Sequence, residues 1–113
     1  MAKQQETKLD LLQGTLDMMV LRTLLAGPAN GYEIANAIER FSEDVLKVDH
    51  GSLYPALHRL EKNGQLAGKW EISSTNRRAR YYRLTAAGKK RLVSERSKWE
   101  QMAAAITSVM RMA

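Results

Sequence analysis

Cysteine is absent from the chain. Without a thiol there is no disulfide framework and no thiolate metal site, and the composition fits a reducing cytoplasm, the compartment expected here. Only two histidines are present, His50 and His58, with no further ligands converging on them, so no metal is expected. No apolar run is long enough to span a bilayer, and the opening residues 1–7 lack the apolar core of a secretory signal. Also missing are a phosphate-cradling glycine loop, a nucleophile elbow and paired carboxylates with a pocket to serve. Glu33, Glu39 and Glu61 read as ordinary helix-surface acids. Neither an enzyme nor a cofactor is expected.

What the chain does have is concentrated positive charge. Its 113 residues are enough for one modest core, and the formal net charge is +6. Arg77, Arg78, Arg80, Arg83, Lys89, Lys90 and Arg91 lie in one stretch with no acid among them. That stretch carries +7, so the +6 total leaves −1 for everything else. A basic patch on an otherwise balanced protein points to a polyanion, of which nucleic acid is the commonest.

Along the chain, Leu9, Leu12, Leu16, Met19, Val20 and Leu24 recur at helical spacing, with Leu11, Met18, Leu21 and Leu25 widening the stripe. Gly14-Thr15 interrupts that pattern, with Thr15 a candidate internal cap; with or without it a helix is expected to about Ala26, where Gly27-Pro28 stops it. A second helix over 31–40 turns Ile34, Ala37 and Ile38 inward. In the connector 41–50, Lys47-Val48 is expected to pair briefly as a strand. A third helix spans 52–63, capped by Ser52, with Pro55 in its first turn and a left-handed stop at Asn63-Gly64. Leu53, Ala56, Leu57 and Leu60 form its buried face, while Ser52, Tyr54, Pro55, His58, Arg59 and Lys62 form the other.

After Gly64 the period changes to alternation. Leu66, Trp70 and Ile72 read as one strand, Ser73 to Asn76 as a polar turn, and Tyr82 and Leu84 as the returning strand. Thr85 then caps a long final helix, with Gly88 as a weak point near its start. Trp99, Met102, Ile106, Val109 and Ala113 follow the four-three spacing of a coiled-coil seam, although Glu95 breaks it upstream. The fold expected is mainly α with a small β-hairpin: a winged helix-turn-helix over 9–85 and a C-terminal dimerisation helix over 86–113.

Several of these segments together resemble the PadR family of transcriptional regulators, in its short form with one C-terminal helix. They are Leu12-Gln13-Gly14-Thr15-Leu16-Asp17, Gly27-Pro28 with Gly31-Tyr32-Glu33-Ile34, Gly51 to Glu61, and Arg77 to Thr85 with Gly88. Gln65 and Asp49-His50 depart from the family pattern. The resemblance implies a homodimer of winged-helix subunits that binds an operator, usually to repress transcription, and that dimerises through its first and last helices.

Site residues follow from both lines of reading. A polar helix face is ordinarily just solvated, but the basic hairpin beside this one favours DNA contact by Ser52, Tyr54, Pro55, His58, Arg59 and Lys62. Arg59 is the candidate for bidentate contact with guanine, and Ser52 and Tyr54 for phosphate. Arg77, Arg78 and Arg80 are the candidates for the wing's contact with a narrow minor groove. Leu12, Leu16, Trp99, Met102, Ile106 and Val109 are the candidates for dimerisation. Trp99 chiefly fills that seam, and two copies of it could also frame a cleft for a small aromatic effector that releases the DNA. The competing reading is a winged-helix module for protein–protein assembly, which has no need of +7 in one stretch.

Overall fold

The computed structural model describes the backbone of residues 2–113 and side chains from Gly14 onward. Helix α1 (Ala2–Leu25) leads through a two-residue strand β1 (Ala29–Asn30) into α2 (Gly31–Phe41) and α3 (His50–Lys62). Strands β2 (Leu66–Ile72) and β3 (Arg78–Leu84) form the hairpin, and α4 (Ala86–Met110) closes the chain. The sheet order is β1-β3-β2, all antiparallel.

Local chemistry accounts for these boundaries. α1 runs to Leu25, close to the expected stop at Gly27-Pro28, and passes Gly14-Thr15 without a break because a single glycine costs a helix only about 1 kcal/mol. Asn30 opens α2 with a reciprocal capping box: its Oδ1 accepts from the Glu33 amide at 2.9 Å, and Glu33 Oε1 accepts from the Asn30 amide at 3.0 Å. α3 starts earlier than its serine suggested. Asp49 holds the N-cap position, and its carbonyl accepts from the amides of Ser52 and Leu53. Pro55 therefore falls in the second turn, where it has no N–H to donate to the Gly51 carbonyl. Gly64 takes the left-handed conformation expected of it, at φ +76°.

The strand expected at Lys47-Val48 does not form. The Val48 amide donates instead to Glu39 Oε2 at 2.9 Å. The third strand is Ala29-Asn30, which pairs with Tyr82 and Tyr81 of β3. Two residues are too few to show a period, so nothing in the sequence announced it.

One apolar cluster holds the elements together. Val20, Leu21 and Leu24 of α1, Ile34, Ala35 and Ile38 of α2, and Leu53, Leu57 and Leu60 of α3 are buried in it with Leu66, Tyr82 and Leu92. Each large side chain removed from water contributes about 1.5–3 kcal/mol. Ala37, expected inward, is only half-buried, and Ala35 takes the inward position. Thr85 caps α4 by accepting from the Gly88 amide at 3.0 Å. Gly88 itself is a packing requirement, since a Cβ there would fall on the Gln65 carbonyl oxygen and 2.7 Å from Leu84 Cδ1. Past Leu92 no residue of α4 is buried, and its last turns carry an exposed apolar stripe.

Candidate nucleic-acid interface

Burying Leu53, Ala56, Leu57 and Leu60 forces the other face of α3 outward. Tyr54, Pro55, His58 and Lys62 are exposed there, and Ser52 and Arg59 are half-buried at its edges. His50 and Tyr54, one turn apart, stack with ring centroids 5.7 Å from each other. The Tyr54 ring also lies over the start of α2, where a Cβ on Gly31 would sit 3.0 Å from its Cε1. Tyr54 thus has a seat in the fold as well as an exposed edge.

Arg59 is placed differently from its sequence expectation. Its Nη2 donates to Asp17 Oδ1 of α1 at 2.7 Å. Arg91 of α4 donates to the other oxygen of the same carboxylate at 3.2 Å and to Gln65 Oε1 at 2.8 Å. Asp17 is 4% exposed, so both arginines are turned toward a buried acid. A carboxylate that deep is tolerable because two guanidinium groups satisfy it.

Arg80 is also engaged within the chain. It grips Glu61 of α3 through Nε, at 3.3 Å from Oε1, and through a shorter bond from Nη2 to Oε2. To reach α3 its guanidinium passes over Gly68, where a Cβ would lie 2.7 Å from Arg80 Nε. The hydrogen bond from Arg80 holds the Glu61 carboxyl below its ordinary range, working against burial and aided by the Arg80 charge. Burial, with Glu61 second, raises the nearby Tyr82 hydroxyl above its ordinary value. The hairpin is therefore fastened to α3.

The far half of the hairpin stands clear of the core. Its strands pair from Leu66–Leu84 out to Ile72–Arg78, and the turn between them is closed by a 2.7 Å bond from the Ser73 amide to the Arg77 carbonyl. Arg77 and Arg78 are exposed. The Arg78 and Arg80 guanidiniums lie 4.7 and 5.6 Å from the ring centre of Trp70, which is itself 52% exposed. Sequence reasoning treated Trp70 as a strand residue only. The signal that could have found this cluster was an aromatic opposite a basic strand, since a guanidinium is attracted to the face of a nearby ring.

The expected seam residues Trp99, Met102, Ile106 and Val109 are exposed along α4. Leu16 is half-buried against the core, and Leu12 lies outside the residues whose side chains are described. A groove of about 770 Å³ between α1, α2 and the following loop is lined by Met19, Thr23, Ile38 and Phe41 among others. Trp99 does not line it. Among the described residues no group of acids and histidines could hold a metal ion, and no helix is long and apolar enough to cross a membrane.

Residues 20–94 match the PadR-like family of transcriptional regulators. A solved transcriptional regulator from Clostridium thermocellum is 31% identical, covers 88% of this chain and 96% of its own, and superposes with a TM-score of 0.80. A PadR family transcriptional regulator from Eggerthella lenta is 28% identical, with 96% and 93% covered and a TM-score of 0.78. A transcriptional regulator from Mycobacterium tuberculosis is 37% identical over 65 residues, 58% of this chain and 60% of that relative.

Proposed function

The chain belongs to the PadR-like family of transcriptional regulators, and from that premise we propose that it represses transcription as a homodimer bound to an operator. α3 enters the major groove with Ser52, Tyr54, Pro55, His58 and Lys62 toward the DNA, and Arg59 at the margin of that face. Arg77 and Arg78 meet phosphate or the minor groove beside it, with the Arg78 guanidinium 4.7 Å from the Trp70 ring centre. Arg80, held by Glu61, works chiefly by keeping the wing against α3. Residues 9–85 carry DNA binding, and residues 86–113 carry assembly, although the first turns of α4 belong to the common core.

The stripe Trp99, Met102, Ile106 and Val109 packs against α1, including Leu12 and Leu16, and against α4 of a second copy. A dyad then sets two α3 helices about one helical turn of DNA apart, roughly 34–36 Å. A small aromatic effector between the paired Trp99 rings would release the DNA by changing that spacing.

The observation that carries this reading is the exposed polar face of α3 with a basic hairpin pinned beside it by the Glu61–Arg80 pair. Its test is footprinting upstream of the protein's own gene, joined to duplex binding at rising salt. A protected stretch with two-fold symmetry is expected, with the logarithm of the affinity falling about 0.9 per neutralised phosphate for each unit in log salt. No protection together with salt-independent binding would leave an assembly module instead.

A further inference from the structure

Asp17 sits where three helices with different tasks meet. It belongs to α1, its Oδ1 accepts from Arg59 of α3 at 2.7 Å, and its Oδ2 accepts from Arg91 of α4 at 3.2 Å. The Asp17 side chain is 5% exposed, against 38% for Arg59 and 24% for Arg91. The carboxylate therefore cannot itself touch DNA or a second subunit. Its oxygens are each committed to one helix, and charge-assisted bonds of this kind are short and directional. An apolar core could hold α1, α3 and α4 together without it, but apolar contacts resist sliding poorly compared with a fixed polar triad.

We propose that Asp17 is a positioning residue: through Arg59 and Arg91 it sets the orientation of the recognition helix relative to the α1–α4 scaffold of the dimer. This rests on the DNA-binding dimer proposed above and adds a residue to it. Arg59 then contributes to selectivity through its hold on Asp17 rather than by reading a base. The distance and phase between two α3 helices in a dimer depend on how each is set on its own scaffold. Loosening that setting leaves each helix able to read its half-site, while the pair becomes tolerant of where the half-sites lie.

Half-site spacing is therefore the readout. Duplexes selected from a randomised library by the wild-type protein are remade with the central spacer lengthened or shortened by one base pair. The wild type is expected to lose about tenfold or more in affinity on either change, within the range of a mismatched site. Asp17→Asn is expected to lose less than about threefold while remaining a dimer with unchanged helicity. If that variant fails to fold, Arg59→Gln, which leaves Arg91 to satisfy Asp17, carries the same expectation. Arg59→Lys, which keeps a cation in reach of Asp17, is expected to restore much of the spacing preference.

Random duplex separates positioning from direct contact. A positioning role leaves the salt slope of Arg59→Gln on random duplex at the wild-type value. A slope reduced by about 0.9 would assign Arg59 to the DNA and overturn the inference. So would folded Asp17→Asn dimers with wild-type spacing preference, or a wild type indifferent to spacing. A wild type that selects no duplex at all would overturn the DNA-binding reading from which the inference starts.

Discussion

Arg80 of β3 crosses Gly68 of β2 to hold Glu61 of α3 with two nitrogens on two oxygens. Glu61 titrates below its ordinary value of 4.5 because it accepts hydrogen bonds from Arg80. A carboxyl with a lowered folded pKa adds stability that is complete above the unfolded value and is lost as pH falls through the folded one. The wing should thus stay fastened at neutral pH and loosen in acid, below the ordinary glutamate value. Hydrogen exchange of the β2 and β3 amides checks this: wild-type protection should fall from pH 5 toward pH 3, and Glu61→Gln should exchange faster already at pH 6. Equal exchange in the two proteins at pH 6 would count against the pair as a fastening.

Arg77 and Arg78 should behave differently from Arg80. Replacing both by alanine should weaken binding to all duplexes alike and flatten the salt slope by about 0.9 for each phosphate no longer neutralised. Exchange of the hairpin amides nearest α3 should remain as in the wild type, since neither holds the Glu61 clasp. Salt titrations on operator and random duplex, run side by side, supply the measurement. An unchanged slope would place the wing tip away from DNA.

Gly88→Ala tests the joint between the hairpin and α4. A glycine inside a helix would ordinarily be improved by alanine, by about 0.8–1.0 kcal/mol. Here the added methyl would meet the Gln65 carbonyl, so the sign should reverse. Overpacking of this sort costs about 1–3 kcal/mol, and urea unfolding reads it directly. A stabilised variant would mean that the Gln65 backbone and α4 can separate at little expense.

The assembly prediction concerns the exposed stripe on α4. Met102→Lys with Ile106→Lys would bring four ammonium groups near a dimer axis, replacing apolar burial of about 1.5–3 kcal/mol per side chain. Sedimentation at micromolar concentration should show monomers with helicity retained, and operator binding should be lost. A wild type already monomeric, or a double variant that still dimerises, would remove the two-fold architecture.

Much of the fold was legible because it is written in periods. The four buried residues of α3, the two strands of the hairpin and the Thr85 cap are local patterns, and each appears where expected, although Trp70 and Ile72 are exposed rather than alternating inward. The same rules misplaced the start of α3: Ser52 is a good cap residue, but Asp49 three residues earlier took the position. Arg59 and Arg80 show where local reading ends. Their partners lie 42 and 19 residues away, and a side chain's spacing along its own element does not reveal an acid arriving from another. Both looked like free surface cations, and both are held by carboxylates within the chain. Trp70 was missed for the same reason, since its arginines are across the sheet rather than along the strand.

The turn at residues 73–77 joins strands whose register is already complete. Ser73 and Arg77 meet backbone to backbone, and Asn76 absorbs the bend at φ +60°. Extra residues placed between them would leave every strand pair and the core packing as they are, and each doubling of a loop costs only about 0.6 kcal/mol in closure. The span of the wing is thus an adjustable dimension of this fold. Its length can be redrawn to follow grooves of different width, by natural insertion or by design, while the three helices and the buried carboxylate that joins them stay fixed.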